Sequence, residues 1–217
     1  MTREAAVSQK AIEEIEYRHF SATEQFLQVH SLVYANGKPS IQRVEINNDE
    51  LATVYFNVED EKFFWVVYVN LQPEISVRWV GTIDYNSVRF SAYSEQLSFD
   101  ELRKLTKLVP SGGWNKGDKK GQSPNYIRKE SYIYFEPNPE PDEFKDKLTL
   151  LLTYLEQDSD GVRKLAEEGG HIQVYTEFHN GNSMLGGYYL EKSHIKRLAQ
   201  LDLEIGFDVN ANGNLFI

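Results

Sequence analysis

The stretch "VPSGGWNKGDKKG", residues 109–121, gathers four glycines and three lysines around Trp114. Glycine-rich turns can aim backbone N–H groups at an anion, and lysines add countercharge, so phosphate binding is the first chemistry to test. Gly112 and Gly117 stand at the spacing of a phosphate-binding loop, but Asp118 follows where lysine and then serine or threonine are needed. That carboxylate would repel a phosphate, and no hydrophobic strand feeds directly into the loop. The phosphate-loop reading fails. No dinucleotide fingerprint, nucleophile elbow or HExxH zinc motif occurs elsewhere.

Charge makes the same stretch a candidate for a different role. From Arg103 to Lys129 there are eight basic residues (Arg103, Lys104, Lys107, Lys116, Lys119, Lys120, Arg128 and Lys129) and one acidic residue, Asp118. The segment carries +7 within a chain of net charge −10. The plain alternative is a solvated loop whose lysines oppose aggregation. The functional alternative is an electropositive patch centred on Trp114, with Lys116, Gly117, Asp118, Lys119 and Lys120 as contact residues for an acidic protein or a phosphate-bearing ligand. Trp114 would either meet the partner or fold back as the loop's anchor.

The remaining ionisable residues give weaker signals. His171 and His179 flank one expected strand, about 26 Å apart if it is fully extended, too far to share one metal. His19, His30 and His194 are scattered. The acidic runs "VEDE" (58–61) and "PEPDE" (139–143) read as a solvated turn and a charged helix start. "FHNGNSMLGGYYLEKSH" (178–194) is a second binding candidate, with His179 and Asn180 at the head of its turn and Tyr188 and Tyr189 on opposite sides of a strand.

Composition bounds these choices. A length of 217 residues suits one large domain or two small ones, and 41% hydrophobic residues with 13% aromatics supply real cores. A net charge of −10 argues against general attraction to nucleic acid or to an anionic membrane. The absence of cysteine excludes disulfides, thiol catalysis and thiolate metal sites, and fits a reducing cytoplasm. No metal or other cofactor is expected. The charged N-terminus lacks a signal-peptide core, and "FFWVVYV" and "LTLLLTYL" are too short to span a bilayer, so a soluble cytoplasmic protein is expected.

The elements that must position these residues follow from periodicity. Residues 3–24 read as helical. "FLQVHSLVYA" reads as a strand ending at Asn36-Gly37, a dipeptide suited to a type I′ hairpin, and "IQRVEI", "ATVYFNV", "KFFWVVYVNL", "ISVRWVGTI" and "SVRFSAYS" continue an antiparallel meander. Ser98 and Glu101 then form a capping box, with Leu97 and Leu102 as its hydrophobic staple. "YIRKESYIYFE" (126–136) reads as a strand ended by prolines. Phe144, Leu148, Leu151, Leu152 and Leu155 mark one helical face. Asp160 is the expected cap of a short helix, "HIQVYTEF" is a strand, and a helix over 192–201 should bury Ile195, Leu198 and Leu201 before the closing strand "EIGFDV".

The expected class is α+β. An antiparallel β-rich half (1–86) packs against a βαβ-type half (87–217), whose strand–helix–strand units suit a ferredoxin-like sheet with helices on one face. The matching apolar offsets of "LSFDELRKL" and "LEKSHIKRL" are a weak internal echo of that plan.

A strand, a capped helix, "PSGGWNKGD", a strand, "PDEFKDKLTLLLTYLEQ", "GGHIQVYTEFHNGNSMLGGYYL" and a closing helix and strand together resemble the bacterial family called domain of unknown function 4279. The resemblance covers about residues 87–210 and rests most on Pro110, Trp114, Gly117, Asp118 and the leucine helix. It implies no activity or catalytic residues. Genes of the family have been suggested to include immunity-like proteins that neutralise toxins, so the resemblance implies a binding role.

Three functions stand at this point. The first is a non-enzymatic protein-binding module, immunity- or regulator-like, that uses the basic loop against an acidic partner. The second is a small-molecule or nucleotide-binding module in a cleft between the halves. The third is a hydrolase with carboxylates that the sequence does not pair.

Overall fold

A computed structural model describes residues 2–46, 48–120, 127–181 and 187–215. The chain is α+β and divides into two compact units: Met1–Tyr85 with Thr176–Leu185 and Val209–Ile217, and Asn86–Tyr175 with Gly186–Asp208. The first unit thus includes two pieces from late in the chain.

The first unit begins with α1 (Arg3–Tyr17), capped by Thr2, whose side chain accepts from Ala5 N–H, and α2 (Ser21–Val29). The expected single helix over 3–24 is broken because Arg18 turns left-handed (φ 53°). The buried Glu14 carboxylate then accepts the Phe20 N–H at 3.1 Å and the Thr23 hydroxyl at 2.6 Å. Helix α2 also takes the first part of the expected strand "FLQVHSLVYA". Phe26 is fully buried and stacks on Trp65 with ring centres 4.2 Å apart. Burial of one helical face outweighs the local β preference there.

Beyond α2, β1 (Tyr34–Ala35) and β2 (Lys38–Pro39) flank Asn36 and Gly37, both at positive φ as a type I′ turn requires. The meander is β3 (Ile41–Ile46), β4 (Leu51–Asn57), β5 (Phe64–Asn70) and β6 (Ser76–Ile83), antiparallel throughout and in chain order. Val54, Phe56, Trp65, Val67 and Val69 form one core with Val7, Ala11, Ile15 and Phe26 of the helices.

The second sheet is built from β7 (Tyr85–Ser94), β8 (Gly112–Trp114), β9 (Ser131–Phe135), β10 (His171–His179) and β11 (Ile205–Asn212), in the order β11-β10-β7-β9-β8. Its helices are α3 (Phe99–Lys104), α4 (Phe144–Leu155), α5 (Ser159–Glu167) and α6 (Lys192–Leu201). Strand β9 runs antiparallel to both β7 and β8, so β7–α3–β8 is a split βαβ unit with β9 inserted. The sheet order β10-β7-β9-β8 is the ferredoxin-like one. Strand β11 extends it in parallel with β10: Ile172 N–H donates to Glu204 O and, eight residues on, Asn180 N–H donates to Asn212 O.

Alternation sets the two faces of this sheet. Val88, Phe90, Ala92, Ile133, Phe135, Ile172 and Val174 share one core with Leu102 of α3, the leucines of α4, Val162 and Leu165 of α5, and Leu198 and Leu201 of α6. The helices therefore cover one face. Three local expectations shift. The cap of α5 is Asp158 rather than Asp160. Ile195 is 53% exposed, because His194, Leu198 and Leu201 form the inward stripe. The strand expected over 126–136 is confined to Ser131–Phe135, with Ile127 in an isolated bridge and Tyr126 outside the described residues.

Candidate functional site

The opposite face of this sheet carries the hairpin that contains Trp114. Two anchors set its entry. Asp158 accepts the Lys107 N–H at 2.6 Å and the Thr106 hydroxyl at 2.8 Å, so the end of α3 is tied to the start of α5. The Asp158 carboxyl is accordingly held below its ordinary range, chiefly by the Lys107 N–H. Tyr154 of α4 donates its hydroxyl proton to Val109 O at 2.7 Å and accepts the Val109 N–H at 3.0 Å.

From there the chain enters β8, where the glycines have a steric purpose. A Cβ on Gly112 would meet the Tyr134 ring, and a Cβ on Gly113 would run into Tyr132 O and the Phe99 ring. These glycines let β8 lie flat against its neighbours. Gly117, at φ 91°, supplies the turn.

Every backbone N–H from Asn115 to Asp118 is occupied within the hairpin. Asn115 donates to the Asp118 carboxylate (2.8 Å), Lys116 to the Ser131 hydroxyl (3.0 Å), Gly117 to Arg128 O (2.9 Å) and Asp118 to Asn115 O (3.2 Å). The Asn115 side-chain carbonyl accepts the Phe99 N–H at 2.9 Å, which fastens the turn to the capping box of Ser98 and Glu101. No N–H in this turn is left to point at an anion.

Trp114 is half-buried between two partners. Its ring stacks on Tyr132 at 4.1 Å, and the Arg128 guanidinium lies 3.6 Å above its centre. Tyr132 also faces Tyr93 at 4.6 Å and Tyr134 at 5.6 Å. Burial pushes the Tyr132 phenol up to about 12, so it stays protonated beside Ser91 Oγ at 3.0 Å. Lys116 is exposed and its ammonium donates to Glu95 O at 3.0 Å. Lys119, Lys120, Arg103 and Lys129 are exposed and have no ion-pair partner among the described residues. The segment 121–126 lies outside the described residues.

The second candidate segment is placed in the first unit. His179 is fully buried, with Nε2 3.0 Å from His30 Nε2 and 3.1 Å from Asn214 O. Asn180 is exposed, and its N–H bonds Asn212 O. Residues 182–186 lie outside the described residues. Tyr188 packs on Phe144 and Phe207, whereas Tyr189 is 77% exposed.

Two imidazoles and a carbonyl resemble part of a metal site, but the tautomer opposes it. Gly181 N–H donates to His179 Nδ1 at 3.0 Å, which puts the proton of the neutral ring on Nε2. Metal binding through that nitrogen would move the proton to Nδ1, against the Gly181 N–H. Among the described residues no three His, Asp or Glu side chains gather as a metal site.

Sequence reasoning named Trp114 and the lysines as candidates and did not foresee Arg128 as the ring partner of Trp114 or the tyrosines beneath it. The alternation of "SYIYF" held the signal, since it places Tyr132 and Tyr134 on one face. The His30–His179 contact spans 149 residues and left no local trace.

The fold defines an α+β protein with a ferredoxin-like sheet, extended by one parallel strand and bearing an aromatic, arginine-topped hairpin on the face opposite helices α3 to α6. The chain belongs to the family described as Domain of unknown function (DUF4279), whose model matches residues 83–212. No curated protein and no solved structure matches it. Among the described residues no helix is long and apolar enough to cross a membrane.

Proposed function

We propose that this protein is a non-enzymatic binding module, immunity- or regulator-like, which acts in the bacterial cytoplasm and grips an acidic protein partner with the Trp114 hairpin. One observation carries this reading: Lys119, Lys120, Lys129 and Arg103 project from a hairpin and its neighbouring helix without ion pairs among the described residues, on a chain of net charge −10. Local positive charge on an acidic molecule steers an acidic partner to one surface. The exposed Ile127, bridged to Lys119 across the hairpin, adds apolar contact area beside the charge. The polar groups of the turn support binding rather than chemistry, because the Asp118 carboxylate and the Asn115 carbonyl are both engaged in holding backbone N–H groups.

The test starts with a partner captured from the native host and then purified. Its association with the wild type and with a Lys119→Glu, Lys120→Glu, Lys129→Glu variant is measured across salt concentrations. Charge reversal should slow association by about tenfold at low salt and flatten the salt response, with folding unchanged. An unchanged rate and salt response would remove the hairpin from the interface.

A further inference from the structure

Arg128 is the least expected residue of this hairpin. Its backbone is fixed on both sides, with its N–H donating to Asp118 O at 2.8 Å and its carbonyl accepting the Gly117 N–H at 2.9 Å. Its guanidinium is fixed by stacking on Trp114, which itself rests on Tyr132. Yet, among the described residues, the buried Nε has no hydrogen-bond partner and the side chain forms no ion pair. The neighbouring carboxylates do not serve it: Asp118 is bonded to Asn115 N–H, and exposed Glu130 makes no ion pair with it.

A partly desolvated cation without an anion is unfavourable, and such groups in folded proteins call for an explanation. Stacking on the indole face offsets part of the penalty. It also holds the planar fork in one orientation, so little further side-chain entropy is lost when an anion arrives.

We infer that the Arg128 guanidinium, held on Trp114, is the receptor for a carboxylate side chain of the acidic partner. This rests on the reading that the basic hairpin binds an acidic protein, and names the contact at its centre. Carboxylate is favoured over phosphate by the geometry around Arg128. A guanidinium fork matches two carboxylate oxygens. A phosphate in a glycine-rich turn is held by backbone donors, and the backbone N–H groups of Asn115, Lys116, Gly117 and Asp118 are all taken. Asp118 adds a negative charge to the same turn, which disfavours a dianion more than a monoanion.

The experiment titrates the full chain with a short oligoglutamate peptide, with the matching oligoglutamine peptide and with inorganic phosphate. The readouts are the Arg128 Nε–H and Trp114 indole N–H resonances and the dissociation constant. Oligoglutamate should shift both resonances, and neither oligoglutamine nor phosphate should. Arg128→Lys, which keeps the charge but loses the fork and the stack, should weaken oligoglutamate binding by about tenfold. The wild-type resonances test the contact even if a variant folds poorly. If oligoglutamate binds Arg128→Lys as well as the wild type, the contact is wrong while the acidic-partner reading survives. If it binds neither, both fall. If phosphate shifts the same resonances at lower concentration, the carboxylate assignment is overturned.

Discussion

His30 and His179 face each other inside the first unit with Nε2 atoms 3.0 Å apart, and both lie within 3.2 Å of Asn214 O. Phe26 stacks on His30 at 4.7 Å, and Phe63 meets both imidazoles edge-on. Asn214 also donates to Val29 O at 2.9 Å, so the late residues 209–215 are tied to the end of α2. Because Gly181 N–H occupies Nδ1 of His179, the neutral ring donates from Nε2, and a second proton at Nδ1 would displace that bond.

The first prediction is a loss of stability in mild acid. Burial lowers the His179 pKa from its ordinary 6.5, and the His30 ring adds to the effect. Nearby, Glu61 has its pKa raised by burial, with His30 opposing and Glu177 contributing. As pH falls below about 6.5 the unfolded chain takes up a proton that the folded His179 resists, so stability falls until the lowered folded value is passed. Thermal melts between about pH 7.5 and 5 should show the decline, and His179→Gln should show a smaller one. At neutral pH, nitrogen NMR should find His179 as the Nε2–H tautomer; an Nδ1–H ring would overturn this account.

The second prediction concerns division of the chain. A fragment ending at residue 86 keeps His30 and Phe63 but lacks His179 and Asn214, which belong to the same compact unit. It exposes Phe26 and Phe63 surface that the full chain buries. In urea it should unfold at a lower midpoint than the intact protein, or without a cooperative transition. An intact-like midpoint would show that the late segments contribute nothing to the first unit.

Two elements that local rules predict well are those whose stabilising partners lie within one turn. The Ser98–Glu101 capping box and the Asn36-Gly37 hairpin need nothing from distant residues. The leucine face of α4 is legible for the same reason, since its stripe repeats within one helix. The helical fate of Phe26 depended instead on Trp65, and the orientation of Trp114 depended on Tyr132 and Arg128. The glycines of "GGW" illustrate a different limit. Their composition suggested an anion cradle, but it is close approach to Tyr132, Tyr134 and Phe99 that requires them. A sequence records that a position is small without recording what presses on it.

The third prediction follows from that packing. Gly113→Ala places its methyl group against backbone oxygen and an aromatic ring and should destabilise by about 2–4 kcal/mol, in the range of severe packing defects. Gly117→Ala meets open space but must hold positive φ, a strain of about 1 kcal/mol. Chemical denaturation of the two variants should rank them in that order. The reverse ranking would mean β8 does not lie flat on its neighbours.

The fourth prediction tests the core behind the site. Leu152 is fully buried in the core that the second sheet shares with its helices, and Leu152→Ala should lose about 2–5 kcal/mol. A loss below about 1 kcal/mol would contradict the burial of the α4 face.

The last prediction separates the two ways in which the hairpin can contribute to binding. Lys119 and Lys120 are solvent-facing charges, so replacing either by glutamate should act mainly on association and fade as salt rises. On the reading proposed above, Trp114 acts through Arg128, whose guanidinium lies 3.6 Å over its ring. Trp114→Ala removes that support and should speed dissociation by about tenfold or more, with little salt dependence. Trp114→Phe keeps an aromatic face on Tyr132 and should recover much of the lost residence time. Kinetic measurement against the purified partner at low and high salt resolves the two effects. If Trp114→Ala alters only the association rate, and does so in proportion to salt, then the ring orients nothing and the hairpin binds by charge alone.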